Sequence, residues 1–199
     1  MKPDVVDQIV EAMTTNETSF FRDVKPFETL RSLLPDLMAK KQDKTIRVWS
    51  AASSSGQEAY SLAMLFKESL KDQPGWRYEI VGTDISEPVL ERARQGAYSE
   101  FEVRRGLTDD QVRHNFNQQG KTWRVNSELK TNVRFEFLNL LDSYDRMGAF
   151  DIIFCRNVLI YFNKDTKAAV LNKMARVMRP YGYLFLGACE TAINLDVPL

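Results

Sequence analysis

Residues able to do chemistry gather at four places in the chain. The first is Ser50-Ala51-Ala52-Ser53-Ser54-Ser55-Gly56-Gln57-Glu58, where every side chain before Gln57 is small. A flat ligand can lie against such a backbone, and the same composition also serves a plain tight turn. Only one glycine is present where a dinucleotide fingerprint requires three, which argues against a pyrophosphate cradle. The second place is Asp84, at the end of an apolar run; an acid there accepts hydrogen bonds from ribose hydroxyls in nucleoside-binding α/β folds, or caps the helix that follows. The third is Asn139, whose amide suits the edge of an adenine or the capping of a turn. The fourth is Arg156-Asn157 with Tyr161-Phe162 close behind. A crevice arginine needs an anion or solvent, and the aromatic pair reads as wall packing or as chemistry.

These four places follow strand-like segments. Short apolar runs at 46–50, 78–84, 133–138, 150–155 and 183–186 alternate with amphipathic stretches of helical period, including one of about fifteen residues after Gly56, one beginning at Ser86 and one over 164–178. Strands spaced by helices predict an α/β fold with a mostly parallel sheet and helices on both faces, its ligand in the crevice beyond the carboxyl ends of the strands. Residues 97–132 interrupt the alternation, with a helix start at Thr108 and Gln111 and an extended piece at 123–125, and read as an inserted subdomain. Ahead of the sheet, the spacing predicts a helix over 3–13, a polar loop at 14–18 and a helix over 25–40 that Pro35 should kink or divide.

Composition narrows the function. The chain has 199 residues, 44% of them hydrophobic, which is enough for one domain with a sizeable core. Lys plus Arg and Asp plus Glu both total 27, so the basic footprint that nucleic-acid binding needs is missing. No leader or apolar run long enough to span a bilayer is seen, and two cysteines in apolar surroundings, Cys155 and Cys189, read as buried thiols in a reducing compartment. We therefore expect a cytoplasmic protein that binds neither nucleic acid nor the membrane interior.

The segments Thr15-Asn16-Glu17-Thr18-Ser19-Phe20-Phe21-Arg22, Arg47 to Ser61, Gly82-Thr83-Asp84-Ile85 and Phe154-Cys155-Arg156-Asn157-Val158-Leu159-Ile160-Tyr161-Phe162, in this order, resemble the CheR family of chemoreceptor glutamate methyltransferases. The resemblance implies a Rossmann-like methyltransferase domain that binds S-adenosylmethionine and releases S-adenosylhomocysteine. It places Asn16, Thr18, Arg22, Glu58, Asp84, Asn139, Leu140, Arg156 and Asn157 at cofactor-binding positions, and Arg22 and Tyr161 at the reacting end. It divides the chain into N-terminal helices with a cofactor-contacting loop at 1–40 and a methyltransferase domain at 41–199, with a small β-subdomain at about 97–132. The partner it implies is the cytoplasmic helical region of chemoreceptors. The short segment 117–121 points to a member that does not depend on a peptide tether. The helical domain that precedes the family's catalytic domain is reduced here to the helix over 3–13, and the closing antiparallel hairpin is missing before Leu199, so a shortened chain is expected.

The implied reaction is attack of a receptor glutamate on a sulfonium methyl, giving a methyl ester. A glutamate is ionised at neutral pH, so neither a general base nor a metal is required, and His114, the single histidine, lies away from the four segments. Arg22 would steer the substrate carboxylate or hold the cofactor's carboxylate. Tyr161 would orient the substrate. Two other readings remain at this stage: a non-catalytic domain that binds S-adenosylmethionine as a sensor or scaffold, and a methyltransferase for a small molecule or another protein. A dehydrogenase is disfavoured by the missing glycines.

Overall fold

The computed structural model describes residues 17–193 and 195–198. The predicted helix over 3–13 and the candidate Asn16 lie outside them. Helix α1 (Lys25–Ala39) is followed by strand β1 (Thr45–Ala51), α2 (Gln57–Leu70), β2 (Arg77–Asp84) and α3 (Glu87–Gln95). Strand β6 (Val133–Phe137), β7 (Phe150–Cys155), α7 (Lys164–Val177) and β8 (Met178–Leu186) complete the main layer. Its five strands lie in the order β6-β2-β1-β7-β8, all parallel. The order reverses between β1 and β7, and the loops after these two strands diverge to leave a crevice at their carboxyl ends.

Alternation along the strands explains the layering. Ile46, Val48, Ile80, Ile152 and Phe154 point to one core, shared with α1, α2 and α3. Trp49, Ala51, Val81, Ile153 and Cys155 point to the other, which α7 covers with Val170, Leu171 and Met174. Burial on both faces is why these strands read as continuous apolar runs. The chain is thus an α/β protein with helices on both faces, as the sequence predicts.

Two local expectations are corrected. Helix α1 runs through Pro35 as a single element. The missing N–H forgoes one bond to the Arg31 carbonyl, but Phe27, Leu30, Leu34 and Leu37, on both sides of the proline, are all buried against the body of the protein and keep the helix from dividing. Cys189 is exposed, because it follows β8 in the loop beyond the sheet; only Cys155 is a buried thiol.

Residues 97–130 form a second layer. Strands β3 (Ala97–Ser99), β5 (Thr122–Val125) and β4 (Phe116–Gln119) make an antiparallel sheet in that order, with α4 (Glu100–Arg104), α5 (Asp109–Asn115) and α6 (Ser127–Lys130) around it. Two capping boxes start its helices, Thr108 with Gln111 and Ser99 with Glu102. Tyr98 and Phe116 stack edge-on against Phe20, so this layer grips the segment leading into α1. The grip is close: a Cβ on Gly106, at φ +108, would lie 2.0 Å from the carbonyl oxygen of Phe20. Gly106→Ala is therefore expected to cost about 2 kcal/mol or more through backbone strain and displacement of Phe20. In a chain of this size that lowers the melting temperature by about 4–8 °C, measured by circular dichroism; an unchanged transition would show that the contact is not held in solution.

Candidate functional site

A cavity of about 550 Å³ opens at the carboxyl ends of β1, β2, β6 and β7. Its size suits a small organic ligand. The structure brings Thr18, Arg22, Glu58, Asp84, Asn139, Leu140, Arg156, Asn157 and Tyr161 together in its lining. Of the residues expected at the site from the sequence, only Asn16 is not described. His114 sits on α5 with its ring against the Asp110 carbonyl, apart from the cavity.

The loop after β1 forms the floor. The Ser53 N–H donates to the Thr83 carbonyl at 2.8 Å and the Ser54 N–H donates to Asp84 Oδ2 at 2.8 Å, so the turn is tied to the end of β2. Asp84 is 8% exposed, and its Oδ1 also accepts the Ser86 N–H at 3.0 Å, fixing the start of α3. Both readings of Asp84 therefore meet in one carboxylate: it orders two loops and faces the cavity. The small residues divide by role. Ala52, Ser53 and Ser54 line the cavity, whereas Gly56 is needed for packing, since a Cβ there would lie 2.9 Å from Ala93 Cβ and 3.1 Å from the Tyr98 hydroxyl.

Arg156 directly follows β7 and has a side chain only 1% accessible. Its Nη1 donates to Glu58 Oε2 at 2.9 Å, and its Nη2 donates to Asp23 Oδ2 at 2.7 Å and to the Arg22 carbonyl at 2.8 Å. One guanidinium thus joins β7, the first turn of α2 and the loop before α1. The anionic partner that a crevice arginine demands is supplied twice over by the protein. Glu58, 13% accessible, also accepts the Ser50 hydroxyl at 2.7 Å. Burial pushes its carboxyl above the ordinary value, against the opposing pull of Arg156 and Ser50.

The loops around the cavity are held in unusual backbone conformations. Eight non-glycine residues have positive φ among the described residues, and Phe21, Asp23, Val24, Ala52, Ser54 and Asn157 fall in these loops. Each such residue costs on the order of 1 kcal/mol, so the surrounding bonds must impose the geometry. The Phe21 N–H donates to the Ser61 hydroxyl at 2.9 Å and Arg22 Nη1 donates to the Glu17 carbonyl at 2.8 Å, which with Arg156 fix the first loop.

Tyr161 stands at the rim, 62% exposed, at the end of a 3-10 turn over Leu159–Tyr161. Apolar Ile85, Leu138, Leu141, Val158 and Phe162 complete the wall. Phe162 takes the wall position that the sequence offered for the aromatic pair; the aliphatic wall residues were not singled out, nor was Asp23, whose acidic side chain in a polar loop gives no local sign that it pairs with an arginine 133 positions away.

The residues suit a nucleoside carrying an amino-acid tail. Asp84 offers an acceptor for ribose hydroxyls and the apolar wall suits a base. Two buried polar atoms on lining residues, Ser53 Oγ and Arg156 Nε, have no hydrogen-bond partner among the described residues, as expected of groups that await a polar ligand.

Comparison with known proteins agrees. The model of the family described as "CheR methyltransferase, SAM binding domain" matches residues 16–196. Chemotaxis protein methyltransferase 1 of Pseudomonas aeruginosa is 44% identical over 95% of this chain and 71% of its own. The chemotaxis protein methyltransferase of Vibrio parahaemolyticus is 48% identical over 94% of this chain and 68% of its own, and that of Escherichia coli is 39% identical over 94% and 65%. The solved structure of PKMT2 from Rickettsia typhi matches 73% of the chain and 21% of its own, at 17% identity and a TM-score of 0.47.

The Glu58–Arg156 pair makes a pH-dependent prediction. With a raised folded-state value, Glu58 keeps its proton to higher pH in the folded chain than in the unfolded one, so its contribution to stability declines as pH rises above the ordinary 4.5. Removing Arg156 raises the folded value further and steepens the decline. Arg156→Gln should melt below the parent throughout, through loss of its bonds to Asp23 and the Arg22 carbonyl, and its deficit should grow by about 3 kcal/mol between pH 5 and pH 8, where a buried carboxylate has lost its partner. A deficit that is the same at both pH values would show that Glu58 does not titrate through this pair.

Proposed function

The chain belongs to the CheR methyltransferase family, and from that premise we propose that it transfers a methyl group from S-adenosylmethionine to glutamate side chains in the cytoplasmic helical region of chemoreceptors. The observation that carries this reading is that Tyr161, exposed at the rim, shares one cavity with Arg22, Glu58 and Asp84. A pocket that only bound the nucleoside would have no use for a phenol at the open end. A cytoplasmic setting suits such a substrate, and among the described residues no helix is long and apolar enough to cross a membrane.

When bound, S-adenosylmethionine supplies an electrophilic methyl on a sulfonium sulfur. Asp84 accepts the ribose hydroxyls, and Asn139 and Leu140 flank the base. Glu58, Arg156 and Asn157 hold the charged amino-acid end, with Thr18, Arg22 and Asn16 closing the pocket from the loop before α1. The chemistry that the cofactor would supply is transfer of its methyl to a substrate carboxylate oxygen, with the carbon–sulfur electron pair left on sulfur as a neutral thioether. Opposite charges are consumed in this step, so a wall of Ile85, Leu138, Leu141 and Phe162 favours it by replacing the water that would stabilise both ions. No proton has to move, which fits a rim whose working groups are an arginine and a phenol. Positioning the two reactants in line is worth about 7–11 kcal/mol, and this is the task we assign to Arg22, drawing the carboxylate in, and to the Tyr161 hydroxyl, orienting it. We further read residues 1–40 as the cofactor-contacting arm, 41–199 as the methyltransferase domain and about 97–132 as its inserted subdomain. The β4–β5 hairpin turns over only Gly120-Lys121, and we infer that receptor binding here does not depend on a peptide tether.

Two measurements test the reading. Titration calorimetry with S-adenosylhomocysteine should give saturable binding, weakened on the order of 10- to 100-fold by Asp84→Ala through loss of charge-assisted hydrogen bonds; unaltered affinity would remove Asp84 from the pocket. Incubation with methyl-labelled donor and a receptor cytoplasmic fragment should give protein-bound label that alkali releases as methanol, the mark of an ester. Tyr161→Phe and Arg22→Ala should each lower turnover about tenfold or more while retaining S-adenosylhomocysteine binding in the Tyr161 variant. Binding without any transfer to receptor fragments would instead support a sensor.

A further inference from the structure

Beyond the end of β8 the chain returns to the site and inserts a carboxylate under the rim. Glu190 Oε1 accepts the N–H groups of Val158 at 2.9 Å, Leu159 at 2.7 Å and Ile160 at 3.3 Å. Its Oε2 accepts those of Asn157 at 2.8 Å and Gly187 at 2.7 Å. Five backbone donors converge on one side chain. Four of them belong to the successive residues Asn157 to Ile160, and the fifth comes from the end of β8. The turn they form ends in Tyr161.

The arrangement leaves no slack. A Cβ on Gly187 would stand 2.6 Å from Glu190 Oε2 and 3.0 Å from the Asn157 nitrogen, so only glycine lets β8 and the rim loop close on the carboxylate together. Asn157 is in the left-handed region at φ +59, a conformation that directs its N–H to the same point as those that follow. Without an anion, four N–H groups beside a largely apolar strand end would face one another unsatisfied, and the turn would have reason to unwind. Among the described residues the Tyr161 side chain has no such anchor of its own: it is mostly exposed, and the backbone of its turn is what sets its direction.

We propose that Glu190 is a positioning residue for the methyl transfer: its carboxylate gathers the amides of residues 157–160 and thereby sets the turn that presents the Tyr161 hydroxyl at the cavity rim. The inference rests on the role given to Tyr161 above. Glu190 touches neither reactant; it acts through the turn, and it couples the segment after β8 to the reacting end of the site. An ionised carboxylate suits this task because it only accepts. A carboxamide of the same shape would turn a donor towards donors.

Glu190→Gln is therefore expected to lower kcat in the receptor-fragment methylation assay about tenfold to a hundredfold, the effect of a misplaced orienting group, while S-adenosylhomocysteine affinity by calorimetry changes less than about threefold. In a Tyr161→Phe background the same substitution should cost less than about threefold, because the group it positions is already gone. Losses that multiply across the two sites would overturn the inference, as would a Glu190→Gln enzyme with full kcat alongside an impaired Tyr161→Phe enzyme. Full turnover by Tyr161→Phe alone is the separate outcome that sinks the role of Tyr161 itself, and this inference with it. Hydrogen exchange in the unsubstituted chain gives a readout that needs no variant to fold: the amides of residues 157–160 should be protected, and free exchange there would overturn the proposal.

Discussion

A charged group placed inside a protein has to be answered by other charges, and at this site that requirement organises three distant pieces of chain. Arg156 is carried to the crevice by β7, the most completely buried strand. Once there it cannot remain unpaired, and Glu58 from α2 and Asp23 from the loop before α1 close on it. Burying such ions is expensive, and pairs of this kind often add little net stability. What they add is position. An arginine with a planar fork admits few alternative arrangements of two carboxylates and a carbonyl, so the loop that bears Arg22 is placed relative to the sheet within narrow limits.

The strained backbone follows from the same constraint. Phe21, Asp23 and Val24 occupy the left-handed region in sequence positions where nothing local favours it. The bonds of Arg156 to the Arg22 carbonyl and Asp23, together with the bond from the Phe21 N–H to Ser61, over-determine the loop and make that conformation the accessible one. The turn after β1 is treated similarly by Asp84, which takes the Ser54 N–H. In each case a charged group lining the cavity also sets the loop that frames it. Rigidity before the ligand arrives is what allows binding free energy to appear as orientation of the reactants rather than be spent on ordering loops.

Much of this was legible in the sequence, for reasons that differ by element. The inner strands β2, β1 and β7 are visible because burial on both faces makes them largely apolar, and the carboxyl ends of the strands stand out because polar residues begin at Ser53, Asp84, Asn139 and Arg156. The capping box at Thr108 is a local signal and appears where local signals place it. The antiparallel layer at 97–130 is less legible: β4 has a single buried residue, Phe116, so no alternation marks it as a strand. Pro35 misleads because intrinsic propensity yields to four buried side chains. Cys189 misleads because an apolar run does not reveal where the sheet stops. Partners distant in sequence are the least legible of all. Asp23 and Glu190 are ordinary acids in polar loops until the fold brings them to Arg156 and to the amides of 157–160.

The rim loop shows why both kinds of fixation are present. Arg156 and Asn157 are adjacent, yet the first is held through its side chain to elements on the α1 and α2 side of the sheet, and the second through its backbone to Glu190 from the β8 side. A loop fixed only at Arg156 could still rotate about the bonds that follow, carrying Tyr161 with it. A loop fixed only by Glu190 would keep its turn but not its distance from Arg22. Because the two charged groups pull on consecutive residues from opposite sides of β7, they fix both the place and the direction of the turn. The roles proposed above for Arg22 and Tyr161 require both to be fixed.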